Sequence, residues 1–291
     1  MPKSNSLRVV ITGANGFVAK NVRSHLHKNG VNLITISRKN FLNLPSERKI
    51  ISSNFDQNNI YSHMKNYDAL VHLIGRGRQT SENSFEDVNV NLTKKAVNLC
   101  KKSKIKKIIF ISGLGVTKDS TSAYFISKYK AEQEIIKSGL NYTIFRASYI
   151  IGNNDPLSKN LKNQIKNGTI IIPGSGKYHL QPIFVQDVSE VILNAIISKS
   201  FSKKIIDLVG PELITFEEFV KVFKNKHKAK IKKIDLEKAY YEALHNPQSF
   251  FGLEDLNIMI GDFKGDHKKL MRLSGLKFKK FKEVLKTSSL A

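Results

Sequence analysis

Apolar positions in the first half of the chain follow two rhythms. Short β-branched runs at residues 8–11, 33–37, 49–52, 69–73, 108–112 and 142–146 have the length and composition of buried strands. Between several of them the apolar spacing lengthens to the helical period. This gives helices over 17–28, closed by Gly30, over 85–102, and over 123–138, closed by Gly139. Strand and helix alternate, so the expected fold class is α/β, a Rossmann-type doubly wound parallel sheet.

Beyond residue 152 the rhythm breaks. Pro156, Pro173, Gly174, Gly176 and Pro182 divide the chain into loops and short segments. We read residues 1–152 as a nucleotide-binding domain and 153–291 as a smaller mixed α/β lobe facing the substrate, with parts of 180–210 returning to the sheet. Asp187 is expected to cap a helix running to Ile196, and 205–208 reads as one more strand. Thr215 and Glu218 have the spacing of a capping box, opening a helix with Phe219, Val220 and Phe223 on its apolar face. From 225 to 291 the pattern is mixed and basic, with weak periodicity.

Composition narrows the class. The 291 residues are 41% hydrophobic, enough for a full core. No stretch has the length to span a bilayer, and the first strand pattern starts too early for a secretory signal, so a cytoplasmic location is expected. A single cysteine, Cys100, allows no internal disulfide and reads as a small buried hydrophobe. The formal charge of +24 would attract phosphates, but Lys dominates and is scattered through the helices. No zinc-finger spacing, basic heptad or aromatic RNA-binding motif focuses it, so nucleic acid is disfavoured as a partner. The Lys-dense stretch 277–282 suits solvent better than an anionic membrane surface. The eight His show no metal-ligand spacing, so no metal is expected, and His72 reads as a satisfied core residue.

The chemistry starts at Gly13-Ala14-Asn15-Gly16-Phe17-Val18-Ala19, between the first strand and the first helix. Glycines there let backbone N–H groups and a helix N-terminus approach a pyrophosphate. Gly13 permits the tight turn, Gly16 the close approach, and Ala19 helix-to-strand packing. A carboxylate about 20 residues on usually holds the ribose of NAD. Here Ser37-Arg38-Lys39 stand at the end of the second strand instead, a hydroxyl and two cations that suit a 2′-phosphate and favour NADP(H) over NAD(H). Asp56 is placed either near the adenine amino group or at a turn. Arg76 and Arg78 follow the fourth strand, where the loop should border the cofactor crevice.

Tyr124 and Lys128 lie four apart on one helix face, after the strand that ends at Ser112. A neighbouring ammonium favours the phenolate, so Lys128 is expected to lower the pKa of Tyr124 and fit it for acid/base work. With these residues on the page, the chain resembles the short-chain dehydrogenase/reductase superfamily, in its extended or atypical, epimerase/dehydratase-like branch. The likeness rests on Thr12 to Val18, on Tyr124 to Lys128, on Val88-Asn89-Val90, on Arg146-Ala147-Ser148 and on Val185 to Val188. It implies that Tyr124 exchanges the proton, that Lys128 also binds the nicotinamide ribose, and that Ser112 positions the substrate. Cofactor contacts then fall on Gly13, Asn15, Gly16, Phe17, Val18, Ser37, Arg38, Lys39, Asp56, Leu73, Ile74, Gly75 and Lys128.

Only twelve residues separate Ser112 from Tyr124, fewer than is usual in sugar-nucleotide epimerases. That short loop, His72-Leu73-Ile74-Gly75 and Gln181 to Val185 are similar to a subgroup that includes the NADPH-binding accessory subunit of respiratory complex I. Two functions follow from the resemblance. One is an NADP(H)-dependent oxidoreductase or sugar-nucleotide-modifying relative, acting on a nucleotide-sugar or another carbonyl or hydroxyl compound. The other is a non-catalytic dinucleotide-binding subunit of a larger, membrane-associated complex. A homodimer is compatible with either.

Overall fold

A computed structural model describes residues 6–55, 60–79, 83–224, 227–246 and 248–287. The first half runs β1 (Arg8–Thr12), α1 (Phe17–Lys28), β2 (Asn32–Ser37), β3 (Arg48–Ile51) and β4 (Ala69–His72). A π-helical run, Glu86–Asn91, leads into α2 (Leu92–Lys102), followed by β5 (Lys107–Gly113), α3 (Ala123–Ile136) and β6 (Asn141–Ala147). The second half runs β7 (Ile150–Ile151), α4 (Pro156–Lys166), β8 (Thr169–Pro173), β9 (His179–Leu180), β10 (Ile183–Phe184), α5 (Val185–Ile197) and β11 (Lys204–Leu208). It closes with β12 (Ile214–Thr215), α6 (Phe216–Lys224), β13 (Lys230–Ile234), α7 (Leu236–His245), α8 (Leu253–Ile260), α9 (His267–Ser274) and α10 (Phe281–Thr287).

Seven strands form one parallel sheet in the order β11-β6-β5-β4-β1-β2-β3. This is the Rossmann arrangement expected from the sequence. Side chains alternate along each strand, so Val9 and Ile11 of β1 enter a core layer shared with α1 and α5, while Val10 enters the opposite layer with α2 and α3. Strand order reverses direction between β1 and β4, and a crevice opens outside their carboxyl ends, where open α/β sheets place ligands. β11 joins the sheet beside β6, with Ile205 opposite Ile144 and Leu208 opposite Ala147.

A third hydrophobic cluster lies outside the sheet. It gathers Ile170 and Ile172 of β8, Phe216, Phe219 and Phe223 of α6, Leu256 of α8 and Phe281 of α10. The capping box at its edge forms as the sequence predicts: Glu218 N–H donates to Thr215 Oγ1 at 3.1 Å and Thr215 N–H to Glu218 Oε2 at 2.8 Å. Asp187 differs from expectation. It sits inside the first turn of α5 and caps nothing; its buried Oδ2 accepts the Lys279 N–H at 3.0 Å, and so anchors the C-terminal segment. Cys100 is buried, and burial pushes its thiol up to about 12. Among the described residues no helix is long and apolar enough to cross a membrane.

Candidate functional site

β1 ends in a turn whose shape demands glycine. Gly13 has φ of +73°, and a Cβ there would lie 3.0 Å from both Ile74 N and Leu73 C. Gly16 N–H donates back to Gly13 O at 2.9 Å, and Gly16 then serves as the extended N-cap of α1. No side chain caps this end, and no acidic residue stands in its first turn. The positive end of α1 is therefore left for an anion.

Nine of the residues assigned to the cofactor from sequence line one cavity of about 420 Å³: Gly13, Asn15, Gly16, Ser37, Arg38, Lys39, Leu73, Ile74 and Gly75. Ser52, Ser53 and Asn83 line it too, and the sequence reading missed them. They come from loops whose approach to the crevice is set only by the sheet order. Asp56 lies outside the described residues. Phe17 and Val18 line the neighbouring cleft of about 890 Å³, which runs past Ser112 and Tyr124 to Tyr149, Asp155, Phe250 and Asp255. A smaller cavity of about 350 Å³ brings Ser112, Tyr124 and Lys128 together with Leu73, Gly75 and Val18.

Three features define the chemistry of that junction. Ser112 Oγ, at the carboxyl end of β5, is buried and has no hydrogen-bond partner among the described residues. Buried polar atoms are nearly always paired, so this hydroxyl stands out at the edge of a cavity. Lys128 Nζ, also buried, donates to Ile111 O at 2.7 Å and lies 4.3 Å over the Phe110 ring. Burial, opposed by Glu132, lowers this ammonium to about 8, so it stays charged at neutral pH. Tyr124 packs edge-on between Phe85 and Phe125. Burial first, and the Glu254 carboxylate second, push its phenol up to about 12. The expected lowering by Lys128 is thus corrected: with no ligand counted, Tyr124 is a protonated donor.

The loop after β4 is held from below. Asn89, buried in the π-helical run, accepts the Arg76 N–H at 2.9 Å and donates to Arg76 O at 3.2 Å and to Ser127 Oγ at 2.9 Å. π-helical turns recur at functional sites, where they re-aim a side chain. Arg76 lines the cofactor cavity, whereas Arg78 crosses the larger cleft, pairing with Asp255 and donating to Phe250 O at 3.2 Å. His72 is the core histidine expected, bonded on both ring nitrogens. No cluster of three or more His, Cys, Asp or Glu suited to a metal ion occurs among the described residues.

The fold and this junction define a dinucleotide-binding Rossmann protein. The NAD(P)H-binding family model matches residues 13–198, and the chain belongs to that family. Among curated proteins it is similar to NADH dehydrogenase (ubiquinone) 1 alpha subcomplex subunit 9, mitochondrial. The Dictyostelium discoideum protein is 25% identical over 75% of this chain and 63% of its own length. The Arabidopsis thaliana protein is 27% identical over 73% of this chain and 56% of its own. The chain thus spans about 56–63% of the length of these two relatives.

Solved structures agree on the fold. MoeE5 in complex with UDP-glucuronic acid and NAD superposes with a TM-score of 0.77 at 17% identity, covering 97% of both chains. A nucleoside-diphosphate-sugar epimerase from Staphylococcus aureus gives 0.76 at 17% identity, covering 96% of this chain and 99% of that one. The resemblance to the epimerase/dehydratase-like branch, and to the complex I subunit subgroup, holds in these comparisons. The cytoplasmic location expected from the sequence does not hold, because the curated relatives carry mitochondrial names.

Proposed function

We propose that the protein is an NADP(H)-dependent oxidoreductase of the short-chain dehydrogenase/reductase type, acting on a carbonyl or carbinol group of a small molecule, a nucleotide-sugar among the candidates. The observation that carries this reading is the unpartnered hydroxyl of Ser112, buried in the cavity that Tyr124 and Lys128 also line. What sets it apart from the other unpaired buried polar atoms among the described residues, on His25, Thr35 and His227, is that Ser112 lines a cavity together with Tyr124 and Lys128.

A dinucleotide fits the residues present: the glycine turn would hold its pyrophosphate, and Arg38 and Lys39 would meet a 2′-phosphate. Bound there, it supplies or accepts hydride at nicotinamide C4. The protein's own residues do the rest. Ser112 Oγ hydrogen-bonds the substrate oxygen and orients the reacting carbon. Tyr124, protonated at neutral pH, gives its proton to that oxygen in the reductive direction. Lys128, fixed through Ile111 O, keeps a positive charge beside the developing anion and offers N–H donors to the ribose. Tyr124→Phe is expected to lower NADPH-dependent reduction at least about 100-fold across a panel of aldehydes, ketones and nucleotide-sugars, with dinucleotide affinity changed less than about 2-fold.

A second reading is favoured by the names of the curated relatives: a dinucleotide-holding subunit of a mitochondrial NADH dehydrogenase assembly. Under it, no panel member gives Tyr124-dependent turnover, and the protein co-purifies with such an assembly. Coenzyme choice is tested separately by fluorescence titration with NADPH and NADH. Arg38→Asp is expected to weaken NADPH roughly 10-fold or more and leave NADH nearly unchanged.

A further inference from the structure

Behind the cofactor cavity lies an ion pair that no step above uses. Arg23 projects from α1 and Glu47 precedes β3; the Arg23 residue is 5% exposed and the Glu47 side chain 0%. Arg23 Nε donates to Glu47 Oε1 at 2.6 Å and Nη2 to Glu47 Oε2 at 2.5 Å, a two-pronged contact. Two further donors go to backbone. Nη1 reaches Ala14 O, inside the glycine turn, at 3.2 Å, and Nη2 reaches Leu42 O at 3.1 Å.

Glu47 is tied with equal thoroughness. Its Oε2 also accepts the Leu44 N–H at 2.8 Å. The Phe41 ring lies 4.3 Å from the Arg23 guanidinium carbon on one side and 5.4 Å from Lys49 Nζ on another. Lys49 Nζ in turn donates to Phe41 O at 2.9 Å and Asn40 Oδ1 at 2.5 Å. Residues 40–47 are thus wrapped around a buried cation whose far side grips the phosphate turn. This segment continues directly from Arg38 and Lys39, which line the cofactor cavity.

We infer that the Arg23–Glu47 pair is a positioning device for coenzyme selection, a strut that fixes Arg38 and Lys39 relative to the glycine turn so that a dinucleotide's pyrophosphate and its 2′-phosphate are met at a set spacing. Four of the five Arg23 N–H donors are committed to protein acceptors, and Arg23 is not among the residues that line the cofactor cavity. Its contribution lies in holding two flexible side chains on a loop that is ordered before the ligand arrives, which saves the entropy of ordering it on binding. Burial opposes the charge on Glu47, but the Arg23 and Leu44 hydrogen bonds hold its carboxyl below the ordinary value, in keeping with a permanently ionised pair.

The inference rests on the NADP(H) reading, and the experiment separates the two. NADPH and NADH affinities are measured by fluorescence titration on the wild-type chain and on Arg38→Asp, Glu47→Gln and Phe41→Ala. Glu47→Gln removes the counter-charge of Arg23 and one prong of the two-pronged contact, and Phe41→Ala removes the ring beneath it without changing any charge. Expected is a fall in the NADPH-over-NADH preference of roughly 5-fold or more in Glu47→Gln and roughly 3-fold in Phe41→Ala, with NADH affinity within about 2-fold of wild type. If Glu47→Gln does not fold, Phe41→Ala decides. Equal losses for both coenzymes, or an unchanged preference, overturn the strut while the Arg38 effect stands. A wild-type chain indifferent to the 2′-phosphate and to Arg38→Asp overturns the coenzyme reading, and the inference with it.

Discussion

His72 shows how a titratable side chain becomes a packing element. Thr93 Oγ1 donates to Asn89 O at 2.7 Å, so its free lone pairs receive the His72 Nε2–H at 3.2 Å, and Nδ1 accepts from Thr12 Oγ1 at 2.7 Å. Both nitrogens are used in the neutral ring, and a second ring proton would displace the Thr12 bond. Burial, then the charge on Lys128, lower its pKa from 6.5 to about 3. The folded value lies below the unfolded one, so between those limits the unfolded chain takes up a proton that the fold refuses, and stability falls as pH drops below 6.5. At pH 5 the loss from this group is about 2 kcal/mol. Urea unfolding at pH 7 and pH 5 should show it, and His72→Asn should flatten the slope. Lys128 acts at the other end of the scale. Its pKa is lowered from 10.5 to about 8, so its burial penalty is full below pH 8 and relieved as pH rises towards 10.5. Residue identities at the site were legible because Gly13, Gly16, Tyr124 and Lys128 answer local backbone or spacing demands. The direction of the Tyr124 shift was not legible, since it is set first by burial, which only the packed structure shows, and then by Glu254 from α8, a meeting that sequence distance hides.

At the scale of elements, the six strands of the first half were readable to within a residue or so at each end, because each is a short β-branched run, and β1, β2, β4 and β5 are buried along most of their length; β3, at the sheet edge, was legible from composition alone. The helix read over 85–102 concealed its π-helical opening, since periodicity averages over such a local change in winding. The last 60 residues were the hardest. α7, α8, α9 and α10 are each 7–10 residues long, too short for a periodic pattern to stand out among so many lysines. Capping chemistry gives a sharper signal than periodicity, as the Thr215 box shows. Thr215→Ala is expected to cost about 1 kcal/mol in a denaturation midpoint, with dinucleotide affinity unchanged. Gly13→Ala carries two penalties, a left-handed backbone and contacts at 3.0 Å with the Leu73–Ile74 backbone. It should weaken NADPH at least about 10-fold by titration, because the turn must shift to admit the methyl group.

Over the whole molecule, the parallel sheet takes its last strand from far along the chain. β11 covers the open edge of β6, and Val188, Val191, Ile192 and Ala195 of α5 complete the core layer that α1 begins. A fragment ending at residue 152 would lack both. It is expected to be insoluble or to show no cooperative unfolding by circular dichroism, whereas one ending at residue 224 should retain a cooperative transition; equal behaviour of the two would count against this view of the core. The same arrangement sets a schedule during synthesis. Once β6 has left the ribosome, its outer backbone donors and acceptors stay unpaired until Lys204–Leu208 emerges, an interval of roughly 3 to 12 s at ordinary elongation rates. For that time the nascent chain carries a hydrophobic strand edge able to pair with another chain. Slowed translation between residues 147 and 204 should therefore raise aggregation of the newly made protein more than equal slowing past residue 208.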